Sequence, residues 1–105
     1  MKEMEEYQIR KPGQKAKATI TQIKLMKAGD VYKKSAKNPE QLLYVIYAKE
    51  DGWEGRIATI PKPPSRQISP NCKLAKFMLK YKKSPEVGMT IEMEANPAGY
   101  WKLNI

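Results

Sequence analysis

A small, mostly β barrel carrying one helix is the fold class this sequence predicts, and three observations predict it. Apolar residues alternate with period two in several separate runs, a single segment at residues 69 to 83 carries the helical period, and turn-forming residues separate the strand-like runs. With 105 residues and 41% apolar content, the chain suits one domain with one modest core and not two. The expected organisation is a flexible N-terminal arm over residues 1 to 13, mixed and acidic at its start, followed by a single barrel domain over residues 14 to 105.

Residues 14 to 26 read as a long first strand. Ala16, Ala18 and Ile20 alternate, and the apolar phase then moves to Ile23 and Leu25 without a strong breaker. That phase change predicts a bulge or sharp coil within one strand, with two conventional strands as the rival reading. Residues 27 to 40 read as a loop from Ala28, Gly29, Asp30 and the Asn38-Pro39 turn signal, in which Val31 and Tyr32 briefly continue a strand. Residues 41 to 49 form the strongest strand, with Leu42, Leu43, Val45 and Ile46 placing apolar groups on both faces and Tyr44 and Tyr47 on opposite ones. Asp51-Gly52 is a tight hairpin signal, so residues 53 to 60 are the antiparallel neighbour.

Pro61, Pro63 and Pro64 exclude regular structure over residues 61 to 68. The helix then begins with Ser69 as cap and Pro70 at its first position. Leu74, Phe77, Met78 and Tyr81 recur at helical spacing, and Lys82 and Lys83 suit the negative end of the helix dipole. After Gly88 comes the clean alternation of Met89, Ile91, Met93 and Ala95. Asn96, Pro97, Ala98 and Gly99 make a turn, and the last strand places Trp101, Leu103 and Ile105 on its inner face.

The formal charge is +9, and it is unevenly placed. Residues 10 to 38 carry +8 and residues 57 to 84 carry +7, while residues 1 to 9, 39 to 56 and 85 to 105 each carry −2. Such an excess repels itself and attracts polyanions, so nucleic acid or an anionic membrane surface are the partners it suggests, with a solvated lysine-rich surface as the bland alternative. No apolar run is long enough to span a membrane. There is no histidine and one cysteine, Cys72, which reads as half-buried filler because no base exists to activate it. Nucleotide-cradling glycine motifs and multi-ligand metal sites are absent, and the Glu92 and Glu94 pair reads as a solvated outer face. No enzyme activity, cofactor or metal is expected, and a reducing, cytoplasmic setting suits the cysteine usage.

Three strands, a helix and two further strands, with a coiled first strand, resemble the OB-fold, a five-stranded Greek-key barrel with its helix between strands three and four. The resemblance covers residues 14 to 105 and rests on element order and turn placement. It implies a ligand lying across strands two and three between the loops at 27 to 40 and 96 to 99. Read independently from the residues, single-strand binding needs cations for phosphate and rings for bases. Lys33, Lys34, Lys37, Arg56, Lys62 and Arg66 are the candidate cations, and Tyr44, Tyr47, Trp53 and Tyr100 the candidate rings. Expected partners are single-stranded DNA or RNA, with a protein partner or self-association as the alternative and no membrane. The decisive question is whether the two basic blocks meet in space.

Overall fold

The computed structural model describes residues 9 to 105. Its longest strand, β1 (Lys15–Lys27), organises the sheet. Residues 15 to 19 of β1 pair antiparallel with β4 (Thr90–Ala95), and residues 19 to 27 pair antiparallel with β2 (Leu42–Glu50). Between these two uses lies the bulge that the phase change predicts. Ile20 stands opposite Ala48 and Gln22 opposite Tyr47, so Thr21 is the extra residue. The extra residue restores the inward phase, which runs from Ala18 and Ile20 to Ile23, and strengthens the local twist.

From β2 the chain turns through Asp51 and Gly52, the latter at φ +86°, into β3 (Trp53–Pro61). The left-handed φ is why glycine stands there. β5 (Trp101–Leu103) pairs with β4, giving the order β3-β2-β1-β4-β5. β3 and β5 come side by side without a ladder between them, so the five antiparallel strands make a nearly closed barrel.

A helix, α2 (Lys73–Tyr81), joins β3 to β4 and closes the core. Phe77 is fully buried among Ile20, Ile46, Ile60, Ile91 and Met93. One turn later the Tyr81 hydroxyl accepts from the Glu92 amide at 3.0 Å and donates to the Asn104 carbonyl at 3.0 Å. A buried ring and a satisfied hydroxyl together fix the helix against the last two strands.

Several expectations need correction. The helix starts at Lys73, because Ser69 spends its groups locally: its Oγ accepts from the Asn71 amide at 3.2 Å and its carbonyl from the Cys72 amide at 3.1 Å. The cap is Cys72, whose Sγ accepts from the Ala75 amide at 3.4 Å, so Pro70 lies outside the helix. Lys82 is left-handed at φ +69° and ends the helix, so neither it nor Lys83 lies in the last turn.

The loop after β1 is partly helical: α1 (Ala28–Tyr32) is followed by one 3₁₀ turn (Lys33–Ser35). Val31 and Tyr32 therefore do not continue a strand. The base of this connection is clamped by Ala28 N to Gln41 O at 2.7 Å and Gly29 N to Pro39 O at 3.0 Å. A Cβ at Gly29 would sit 3.0 Å from the Pro39 Cβ, so this close approach of the two segments favours glycine there. A second bulge, at Ile57, turns both Ile57 and Ala58 into the interior, whereas regular alternation would set Ala58 on the face of Arg56. Residues 1 to 8 of the expected arm lie outside the described residues. From its remainder, the Gly13 amide donates to Ala95 O at 2.9 Å and the Arg10 guanidinium lies 5.1 Å from the Trp101 ring centroid.

Truncating the plug tests this packing. Phe77→Ala is expected to lower unfolding stability by about 3 to 5 kcal/mol, read from urea denaturation, because the barrel leaves a cavity it cannot collapse.

Candidate functional site

The two basic connections meet at one end of the barrel. The first leaves β1 at Lys27 and returns at Leu42; the second leaves β3 at Pro61, and Pro61 stands opposite Leu43. They touch directly. The Gln41 amide donates to Leu42 O at 3.0 Å and Lys62 O at 3.3 Å, and the Lys62 backbone amide donates to Leu42 O at 2.9 Å. On the outer side of the sheet the Tyr32 hydroxyl hydrogen-bonds Thr59 Oγ1, tying the end of α1 to β3. Ala28 and Leu43 are buried beneath this connection, which gives it a fixed seat.

Between the connections and α2 opens a groove of about 850 Å³. Asn38, Gln41, Lys62, Arg66 and Tyr44 line it on one side and Leu74 and Met78 on the other. Lys33, Lys34 and Lys37 are exposed on the same connection as Asn38. Among the described residues, ion pairs join only Lys27 to Glu40 at 3.2 Å, Lys80 to Glu92 at 3.5 Å and Lys83 to Glu86 at 2.9 Å. Glu40, the carboxylate lining the groove, is thus matched by Lys27, while Lys33, Lys34, Lys37, Lys62 and Arg66 have no such partner among the described residues.

The rings divide. Tyr44 faces inward, half-buried, and lines the groove. Tyr47 faces outward in register with Gln22 and Arg56, and the Lys24 ammonium stands 5.5 Å from its ring centroid. Trp53 packs on the core and against Gly55, where an added Cβ would sit 3.2 Å from its ring, and it adjoins the acidic hairpin turn. Tyr100 is 70% exposed at the turn between β4 and β5. That turn adjoins the start of β1, whereas the basic connections adjoin its end.

Tyr44, Lys62 and Arg66 therefore come together in the groove, Lys33, Lys34 and Lys37 are exposed on the connection that reaches it at Asn38 and Gln41, Tyr47 and Arg56 form a patch on the neighbouring outer face, and Trp53 and Tyr100 stand apart. Sequence reasoning missed Lys24, whose outward position follows once the bulge is placed at Thr21. It also missed Tyr32, and Lys73, whose ammonium donates to Thr59 O at 2.9 Å. No signal short of the tertiary fold points to those two.

Elsewhere, Glu92 is held by structure. Its carboxylate accepts a short hydrogen bond from the Asn104 amide and faces Lys80, and these hold its pKa below the ordinary carboxyl value. No cluster of three or more metal-ligating side chains occurs among the described residues. Compared with protein-family models, with curated proteins and with solved structures, the chain matches none.

The Glu92 contact has a testable pH signature. A carboxyl depressed in the folded state stabilises fully above its unfolded pKa, and that stability is lost as pH falls through the folded value. Wild type and Glu92→Gln are therefore expected to differ in unfolding stability at neutral pH and to converge as the medium is acidified below the ordinary carboxyl range. Parallel urea midpoints across that range would contradict it.

Proposed function

We propose that this protein is a binding module for single-stranded DNA or RNA, acting through phosphate neutralisation and ring stacking with little base readout, and not an enzyme. The observation that carries the reading is the contact of the two basic connections at one end of the barrel, where Lys62, Arg66 and Tyr44 line a groove, with Tyr47 on the outer face of the same strand. Cations without acidic partners attract phosphate, and rings next to them offer bases a stacking surface. The strand order, with α2 between β3 and β4, is similar to the OB-fold, in which the face of the second and third strands and the connection after the first strand take oligonucleotides. The short, uncharged turn between β4 and β5 adds only Tyr100, so the strand is held on an open face and not enclosed. No helix among the described residues is long and apolar enough to cross a membrane.

A second reading, a protein-interaction or self-association module, is favoured by one observation. Leu79 and Val87 are each 64% exposed and Leu25 is 51% exposed, apolar surface open to a partner chain. A mass measurement by light scattering over a concentration series separates self-association from the first reading.

Affinity for an oligothymidine measured over a salt series tests the proposal. With about four to six phosphates neutralised, the logarithm of the affinity is expected to fall with the logarithm of salt at a slope of about −3 to −4. Tyr47→Ala is expected to cost about 1 to 3 kcal/mol of binding. Weak binding that barely changes with salt would overturn the reading.

A further inference from the structure

The barrel has a second concentration of positive charge, outside the groove. Where β3 and β5 run side by side without a ladder, a cavity of about 440 Å³ opens over Ile57, Ala58 and Leu103. Its polar rim is formed by Asn71, Lys73, Lys76 and Lys102. These lysines come from two separate places in the chain: two from the first turns of α2 and one from β5. Among the described residues none of the three is in an ion pair. Lys102 stands opposite Glu94 in the register of β4 and β5 without forming an ion pair with it.

This arrangement is electrostatically unfavourable in isolation. The first turn of α2 holds no acid, and its basic residues sit at the end of the helix where positive charge is least welcome. Lys73 is nevertheless anchored there, its ammonium donating to Thr59 O at 2.9 Å on the edge strand β3. Thr59 also bears the hydroxyl that bonds Tyr32. The seam is thus linked through one residue of β3 to the connection that carries Lys33 and Lys34.

We infer that the seam between β3 and β5 is a second phosphate subsite, at which the backbone of a bound single strand continues past β3 and is neutralised by Lys73, Lys76 and Lys102. The identity of the ligand rests on the nucleic-acid reading above; the place of the subsite rests on the seam. The floor of Ile57, Ala58 and Leu103 has no side-chain hydrogen-bonding group, and on the rim three ammonium groups stand against the one amide of Asn71, so the subsite takes backbone. A strand that engages both regions occupies more nucleotides than one that ends at the groove.

The full chain, labelled for amide NMR, is titrated with a short and a long oligothymidine, and with inorganic tripolyphosphate as the free-anion arm. The expected result is that the long oligothymidine shifts amides at residues 71 to 76 and 101 to 103, whereas the short one shifts only the region of the groove. The double variant Lys76→Gln/Lys102→Gln leaves both ladder and Lys73 bond intact. It is expected to weaken binding of the long oligothymidine about threefold to tenfold and to flatten its salt slope by about 1 to 1.5, with the short one unaffected. Oligothymidine binding with no shift at the seam and an unchanged double variant overturns this subsite and leaves the nucleic-acid reading standing. Failure of both oligonucleotides to bind overturns that reading and the backbone subsite with it. Seam shifts with tripolyphosphate alone would also overturn the backbone assignment, identifying a site for free polyphosphate.

Discussion

The extra residue at Thr21 is the constraint on which the structure depends. A regular strand of this length would turn its second half to the wrong face, placing Ile23 in solvent and its polar neighbours in the core. The bulge returns the apolar phase to the interior and bends the strand, so that β1 serves β4 with one half and β2 with the other. Everything about the barrel's ends follows from that division. The connection after β1 and the connection after β3 both leave from the end where β1 finishes, while the acidic hairpin turn and the turn after β4 are kept away from it.

Charge follows topology. The chain separates its basic residues into two blocks that are remote in sequence, and the sheet order brings parts of both to one pole. Their mutual repulsion is held by contacts that do not depend on charge: the Gln41 side chain to two carbonyls, Tyr32 to Thr59, and the burial of Ala28 and Leu43. Because the backbone that carries these cations is held in place, it loses little further conformational freedom when an anion arrives.

Much of the fold was legible in the sequence because the relevant signals are local. The phase change in β1, the Asp51-Gly52 turn and the alternation of Ile91, Met93 and Ala95 each act over a few residues, and each has its counterpart in the structure. The short α1 and the shift of the helix start to Lys73 were not legible. Both are decided by contacts with residues elsewhere or by competing side-chain bonds: Gly29 against Pro39, and Ser69 bonding to the turn in place of the helix. The site was legible in its cations and only partly in its rings. Alternation placed Tyr44 and Tyr47 on opposite faces, but it does not say that Trp53 is packed into the core beside Gly55, or that Tyr100 stands at the far end of β1. The bulge at Ile57, which turns Ala58 away from Arg56, has no local signal either.

Lysine acetylation footprinting of the full chain, with and without a single-stranded oligonucleotide, tests most directly whether the two connections act as one surface. Protection of Lys33, Lys34, Lys37 and Lys62 together, rising over the same range of oligonucleotide concentration while Lys49 and Lys83 stay reactive, is the expected result. Protection of one connection without the other, or uniform protection of all lysines, would contradict it.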